Sequence, residues 1–191
     1  MIHIGVLGAG RVVQHRIAEV LMNELKDACV LMVCDKVSER ADKVAIQLGA
    51  KAVYDKSVLL ENKEVDVVLI ATESGNHFKH SREVLEAGKH VIVEKPPALL
   101  PDEIMKNEHY AQQRGLMFAV IFQNRLNPAI QILKNTYNDG RFGKIVLSTI
   151  RLRWCRYQEY YKDGWHGTWA MDGGVLSQQA IHHLDALQWI C

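Results

Sequence analysis

A carboxylate and an amine stand side by side at Glu94-Lys95, between the apolar run His90–Val93 and two prolines. The run is typical of a buried strand. The prolines end it abruptly, because proline lacks the N–H group that a sheet ladder needs. A charged pair at such a point is either a surface ion pair or part of a ligand site, and the other strand ends in the chain decide between the two.

A glycine turn near the N-terminus has the spacing of a phosphate-binding loop. Gly8-Ala9-Gly10 follows the β-branched run Met1–Leu7 and precedes a helical pattern over Gln14–Leu25. In the pattern G-x-G-x-x-G, the first glycine permits a tight turn and the second lets a pyrophosphate approach the helix N-terminus. Val13 occupies the third position. Many strand–helix turns carry glycines for geometry alone, so the next strand is needed to support this interpretation.

Asp35 ends that next strand, Ala28–Cys34. A carboxylate there can accept hydrogen bonds from both ribose hydroxyls of an adenosine and would repel a 2′-phosphate, which predicts NAD rather than NADP. Lys36 directly follows Asp35 and weakens the prediction of NAD over NADP. Asp35 is alternatively a turn residue before the helix Ser38–Leu48. With the glycines in register, we prefer the cofactor interpretation.

A second group of polar residues lies near the end of the chain. Gln178, His182 and Asp185 are spaced i, i+4 and i+7, so they share one helix face. A histidine between polar residues could be a general base, but a single helical histidine is more often a packed or capping residue. The preceding loop, Cys155–Trp169, is rich in Tyr, Trp and Arg. It is either a sugar or nucleotide surface or an ordinary packed loop.

Strands that alternate with helices must position these residues. Apolar runs predict strands and periodic segments predict helices. The strands are Met1–Leu7, Ala28–Cys34, Val65–Ala71, His90–Val93 and Leu116–Phe122, and the helices lie at Gln14–Leu25, Ser38–Leu48, Ser57–Leu60, His80–Ala87 and Pro101–Arg114. This order predicts an α/β fold with a doubly wound parallel Rossmann sheet, in which ligands bind outside the carboxyl ends of the strands. The segments at those ends are Gly8–Gly10, Asp35, Thr72–His77, Glu94-Lys95 and Gln123–Arg125, which favours the site interpretation of Glu94-Lys95.

The pattern changes in the second half of the chain. A helix is predicted at Pro128–Asn138, and Lys144–Trp154 alternates like a strand with one exposed face. We therefore expect an NAD-binding Rossmann domain over residues 1–122 and the start of a second, α+β domain over 123–191. A single strand cannot satisfy its own edges, so this second domain is expected to be incomplete, or completed by another subunit.

Composition does not suggest a nucleic acid or a membrane as the main partner. The 191 residues are 48% hydrophobic and 24% charged, with a net charge of +1, which favours neither nucleic acid nor a membrane surface. No apolar run reaches the length of a membrane span. The four cysteines show no metal-binding spacing, so no metal is expected, and their usage suits a reducing compartment. We expect a soluble, cytoplasmic protein.

The chain as a whole resembles the N-terminal part of the glucose–fructose oxidoreductase / inositol dehydrogenase family of NAD(P)-dependent sugar dehydrogenases. The residues that carry the resemblance are Gly8-Ala9-Gly10, Asp35, Thr72, His77, Glu94-Lys95-Pro96 and Gly173–Asp185. The segments QNRLNPAI, EYYKDGWHGTWAMDGG and QAIHHLDALQW resemble a narrower group, the UDP-N-acetylglucosamine-uronate 3-dehydrogenases of surface-polysaccharide synthesis.

The resemblance implies a role for individual residues. Lys95 and His182 are the implied catalytic pair, with Lys95 stabilising negative charge and His182 as general base. Glu94 would hold the nicotinamide ribose, and His77 would line the cofactor groove. The implied cofactor-binding residues are Gly8, Gly10, Arg11, Val12, Asp35, Thr72, Ser74, His77, Glu94, Lys95 and Gln123. The implied substrate-binding residues are Lys95, Arg125, Arg153, Gln178 and His182.

Departures from the family pattern keep a second function open. Gln178 stands where the family commonly has Asp or Asn, and Glu73 where it commonly has Pro. The first hypothesis is oxidation of a secondary hydroxyl, at C3 of a UDP-linked N-acetylated glucuronic acid. The alternative is a non-catalytic NAD- or sugar-binding protein on the same scaffold. A free sugar or inositol substrate is a third possibility, and a homo-oligomer through the second-domain sheet is expected.

Overall fold

Six parallel strands form one sheet in the order β3-β2-β1-β4-β5-β6. The computed structural model describes residues 1–191, and the sheet lies within the first of two units, Met1–Val120 and Ile121–Cys191. The strands are β1 (Ile2–Leu7), β2 (Ala28–Cys34), β3 (Lys51–Val53), β4 (Val67–Ile70), β5 (His90–Val93) and β6 (Phe118–Val120). The order reverses direction between β1 and β4, so the predicted doubly wound parallel sheet is confirmed.

Helices connect the strands of the first unit. They are α1 (Ala18–Asn23), which a π-helical turn at Val13–Ile17 precedes, α2 (Ser38–Leu48), α3 (Lys56–Glu61), α4 (His77–Glu86) and α5 (Pro101–Gln113). Local residues explain several of their ends. The side chain of Asp55 accepts a hydrogen bond from the Ser57 N–H at the start of α3, and Gly49 closes α2 in the left-handed conformation at φ 64°.

The central strands carry the core because both of their faces are covered. Val6, Val33, Val68 and Val91 are each 0% exposed. Burying such a side chain stabilises the fold by ~1.5–3 kcal/mol. Strand β3 was missed in the sequence, since three residues are too few to show a period.

The carboxyl ends of five strands lie in one row across the sheet. Leu7 pairs with both Cys34 and Ile70, Ile70 pairs with Val93, and Val93 pairs with Val120. The residues that follow these strands therefore emerge at a common edge. This edge positions the glycine turn, Asp35, the loop after β4 and Glu94-Lys95.

The second unit is mainly helical. Its elements are a 3-10 turn at Gln123–Leu126, α6 (Pro128–Asn138), a 3-10 turn at Gln158–Tyr161, a π-helical turn at Leu176–Ala180 and α7 (Ile181–Ile190). The predicted strand Lys144–Trp154 is wrong, because the segment is neither strand nor helix. Its alternation is typical of a strand, but a β-strand forms only when a second strand pairs with it. No other segment of the 191 residues pairs with Lys144–Trp154.

None of the seven α-helices is both long and apolar enough to cross a lipid bilayer. Cys34 is buried at the end of β2, and burial, reinforced by the neighbouring Asp35 carboxylate, raises the pKa of its thiol to about 11. This thiol is therefore protonated at neutral pH and packs as a small apolar side chain.

Candidate active site

The glycine turn follows β1 and packs directly on the loop after β4. Gly8 has φ 97°, and a Cβ atom on it would lie 2.7 Å from the carbonyl carbon and oxygen of Ala71 and 2.9 Å from the Thr72 nitrogen. Gly10 meets nothing within 4 Å. The fold itself thus requires Gly8, whereas the open side of Gly10 leaves room for a pyrophosphate. The predicted cofactor residues Arg11 and Val12 are exposed next to this turn.

The carboxylate of Asp35 joins the end of β2 to the glycine turn. One oxygen accepts the Ala9 N–H at 2.7 Å and the other accepts the Val37 N–H at 2.9 Å. Each carboxylate oxygen has two lone pairs, so both can still accept a ribose hydroxyl. Lys36 points instead to Glu73, at 3.5 Å. The turn role of Asp35 is therefore present in the structure, and the cofactor role is compatible with it.

Replacing Asp35 with alanine should weaken NAD binding about 10- to 100-fold. This loss corresponds to the ~1.5–3 kcal/mol that a hydrogen bond to a charged group contributes. NADP should lose much less, because its 2′-phosphate no longer faces a carboxylate. Isothermal titration calorimetry of the parent and the variant with each cofactor measures both losses of affinity. Equal losses for the two would contradict a ribose contact and leave only the turn role.

The loop after β4 is ordered by Glu73. Its carboxylate accepts the Asn76 side-chain N–H at 3.1 Å, across the 3-10 turn Ser74–Asn76. Burial raises the pKa of Glu73, but its hydrogen bonds, including those from Asn76 and Lys36, outweigh burial and hold the pKa below its usual value. The predicted cofactor residue Ser74 is 3% exposed within the turn.

His77 lies beneath this edge rather than on it. Its ring is 2% exposed, with Nδ1 2.7 Å from the Pro96 carbonyl oxygen and Nε2 3.0 Å from the Thr72 carbonyl oxygen. Burial, assisted by the charge of Lys95, lowers the pKa of His77. Both ring nitrogens face the protein's own backbone, and a contact between His77 and the cofactor stays a prediction.

Glu94 and Lys95 leave the sheet at the end of β5. The Glu94 N–H donates to the Ile70 carbonyl at 2.9 Å, which fixes the pair beside β4, and the Lys95 N–H donates to the Glu94 carboxylate at 3.2 Å. Burial raises the pKa of Glu94, with the nearby Lys95 opposing the shift. The following bond, Lys95–Pro96, is cis. Both side chains are half-buried at the edge that holds the glycine turn.

Gln178 and His182 are the most buried polar residues of the terminal helical segment. Gln178 lies in the π-helical turn and is 5% exposed, and His182 lies in the first turn of α7 and is 7% exposed. Lys95 belongs to the first unit and His182 to the second. Their convergence on one substrate stays a prediction.

Arg125 makes an ion pair that the sequence did not reveal. Its Nε donates to Asp185 Oδ2 at 2.9 Å and a terminal nitrogen donates to Oδ1 at 2.5 Å. The bonds to Asp185 raise the pKa of Arg125. This pair holds α7 to the turn Gln123–Leu126. A substrate contact from Arg125 stays a prediction. No local pattern marks a pair 60 residues apart. Gln123 and Arg153, the other predicted residues of this unit, are exposed.

The aromatic loop is organised around His166. Its Nδ1 lies 2.5 Å from Asp163 Oδ2, and its ring stacks on Trp165 with centroids 3.6 Å apart and contacts Tyr160 at 4.1 Å. Burial raises the pKa of Asp163, but the bonds from His166 outweigh burial and lower it. These internal contacts fit a packed loop, although Trp169 remains 84% exposed.

Comparison with known proteins identifies the family. The profile described as "Oxidoreductase family, NAD-binding Rossmann fold" (GFO/IDH/MocA) matches residues 2–122. The chain belongs to the GFO/IDH/MocA oxidoreductase family. The "GFO/IDH/MocA C-terminal domain" profile matches residues 130–191, so the second unit carries part of this family's second domain.

Solved and curated relatives of this GFO/IDH/MocA chain align over nearly all of it. The WlbA dehydrogenase from Chromobacterium violaceum, in complex with NADH and UDP-GlcNAcA, has TM-score 0.94 and 33% identity over 99% of this chain and 55% of its own. WlbA from Bordetella pertussis, with the same ligands, has TM-score 0.92, 33% identity and the same coverage. D-glucoside 3-dehydrogenase of Escherichia coli is 31% identical over 99% of this chain and 54% of its own. The chain thus spans about half the length of these relatives.

The residues at the sheet edge fit NAD, the cofactor of this GFO/IDH/MocA domain. The approach to Gly10 is open, and Asp35 presents two carboxylate oxygens next to it. The sequence therefore predicted correctly that these residues lie at one edge of the sheet. It missed the buried position of His77 and the pairing of Arg125, because both depend on contacts between distant segments.

Proposed function

We propose that the protein is an NAD-dependent dehydrogenase that oxidises a secondary hydroxyl of a nucleotide-linked sugar, at C3 of a UDP-linked N-acetylated glucuronic acid. The observation that carries the proposal is the alignment of the glycine turn, Asp35 and Glu94-Lys95 at one sheet edge. Two structural neighbours hold NADH and UDP-GlcNAcA, and a curated relative is a 3-dehydrogenase, which supports the substrate and the position of attack.

Each of these residues would have a distinct role in binding or catalysis. Gly10 leaves room for the pyrophosphate, Asp35 accepts the adenosine ribose hydroxyls and Glu94 accepts those of the nicotinamide ribose. NAD, when bound, supplies the acceptor for the hydride that leaves the sugar carbon. The imidazole of His182 takes the proton of the sugar hydroxyl. The ammonium of Lys95 donates a hydrogen bond to the same oxygen as negative charge develops on it.

Gln178 favours the second candidate, a non-catalytic NAD- or sugar-binding protein. An amide can hydrogen-bond a sugar hydroxyl but cannot take its proton. His182 alone would then have to act as the base, and a protein that lacked this activity would still bind both ligands. The presence of a paired amine and imidazole favours the enzyme.

An assay of turnover separates the candidates. Purified protein with NAD should produce NADH absorbance on addition of UDP-GlcNAcA, and much less with UDP-GlcNAc, an alkyl glucoside or an inositol. Binding of NADH and UDP-GlcNAcA without turnover would support the non-catalytic candidate. A preference for the glucoside or the inositol would contradict the nucleotide-sugar assignment.

Three further features stay predictions. A role in surface-polysaccharide synthesis and a homo-oligomer through the sheet of the second domain follow from the family resemblance, and a cytoplasmic location follows from composition and cysteine usage. The domain limits of 1–122 and 123–191 likewise stay proposals.

A further inference from the structure

The ring of His77 bridges the loops that follow two neighbouring strands. It contacts the carbonyl oxygen of Thr72, two residues after β4, and that of Pro96, directly after Lys95. The ring is 2% exposed, so water does not compete for either contact. A single buried side chain thus joins the loop that packs on the glycine turn to the loop that carries the predicted catalytic lysine.

The two contacts cannot both be hydrogen bonds of a neutral ring. Both carbonyl oxygens can only accept, and a neutral imidazole has one N–H group. Burial and the charge of Lys95 favour the neutral ring. The contact to Pro96 is the shorter, 2.7 Å against 3.0 Å, which places the proton on Nδ1. This tautomer is assigned from the hydrogen-bond network.

The Pro96 carbonyl is an effective point at which to hold this turn. Proline has no backbone N–H, so its carbonyl is the only backbone group through which residue 96 can form a hydrogen bond. A bond to that carbonyl restrains the Pro96–Pro97 peptide, one residue beyond Lys95, and so limits the movement of the turn from which the lysine side chain extends.

We propose that His77 is a positioning residue, which holds Lys95 in place by donating its Nδ1–H to the Pro96 carbonyl oxygen and so ties the turn after β5 to the start of α4. The inference rests on the proposed function only for the role of Lys95. The hydrogen bond itself lies within the first unit.

The first test measures the proton directly. In the wild-type protein with NADH bound, a long-range ¹H–¹⁵N spectrum should show the Nδ1–H tautomer of His77. A ring protonated only on Nε2 would overturn the proposal, because the bond to Pro96 could not then exist. This test needs neither turnover nor a variant that folds.

The second test uses a matched histidine on the same helix. His80 lies one turn further along α4, and its Nδ1 contacts the Thr72 hydroxyl at 3.0 Å instead of the turn after β5. His77→Phe keeps a ring but removes the donor, and should lower kcat by about 10²-fold, the cost of misplacing a catalytic group by ~1 Å. The KM for NAD should change little. His77→Gln, which retains an N–H donor, should recover part of kcat, and His80→Phe should leave kcat near the parental value.

The activities of two variants, Lys95→Ala and His77→Phe, test the proposed function and the positioning role of His77 separately. If Lys95→Ala turns over at the parental rate, the proposed function fails. If Lys95→Ala is inactive but His77→Phe keeps the parental kcat, the positioning role fails. Equal losses of kcat and of melting temperature in His77→Phe and His80→Phe would also overturn it, since they would indicate general packing of α4.

Discussion

The His182→Ala protein is expected to turn over ~10²–10⁴-fold more slowly than the parent, the usual contribution of a general base. Binding of NADH should change little, because the predicted cofactor contacts lie almost entirely in the first unit. Initial rates with UDP-GlcNAcA, together with NADH fluorescence titrations, measure both quantities. Lys95→Ala should lose activity to a similar degree, since it removes the charge that stabilises the developing oxyanion.

His183 provides the matched control for this experiment. It neighbours His182 on α7, packs edge-on against Trp154 with ring centroids 5.4 Å apart, and buries an Nδ1 atom without a hydrogen-bond partner. His183→Phe keeps the aromatic packing and removes this unpaired nitrogen, so kcat should stay near the parental value. A parental rate in His182→Ala, or equal losses in the two variants, would exclude His182 as the base.

Gly8→Ala should unfold at a markedly lower temperature than the parent, even without cofactor. The position has φ 97°, and the new methyl group would lie 2.7 Å from Ala71 backbone atoms, which cannot move without disturbing the end of β4. Backbone strain of this kind costs about 3 kcal/mol. At ~2–4 °C per kcal/mol this predicts a fall in Tm of about 6–12 °C, measured by calorimetry.

Gly10→Ala separates the structural glycine from the ligand-facing one. Its new methyl group meets nothing within 4 Å, so the Tm of the protein without NAD should stay close to that of the parent. NADH affinity should nevertheless fall, because the methyl group occupies the approach of the pyrophosphate. If both variants melt like the parent, the close packing at Gly8 does not constrain the fold.

Local pattern was sufficient wherever a residue's position in the fold follows from its own segment. The glycines, Asp35 and Glu94-Lys95 each stand at the end of an apolar run, and parallel sheets bring such ends to one edge. The strands β2 and β5 and the helices α2 and α6 have the predicted limits. The π-helical turn before α1 was not predictable, because the apolar period looks the same through it.

Pattern failed where a distant partner decides the outcome. Lys144–Trp154 alternates correctly, but without a pairing segment it is no strand. The ion pair of Arg125 with Asp185 joins positions 60 residues apart and was not predicted. His77 stands in a polar loop pattern, yet it begins a helix and is buried. In each case the outcome depends on whether a segment elsewhere in the chain makes contact, which the local pattern does not contain.

The two backbone bonds to Asp35 have a consequence for the energetics of cofactor capture. A carboxylate that already holds the Ala9 and Val37 N–H groups has lost its rotamer freedom before any ligand arrives. Ordering a free side chain on association costs ~0.5–1.5 kcal/mol. That entropy is lost here during folding, so the Asp35 carboxylate of the proposed adenosine site is already ordered before a cofactor binds.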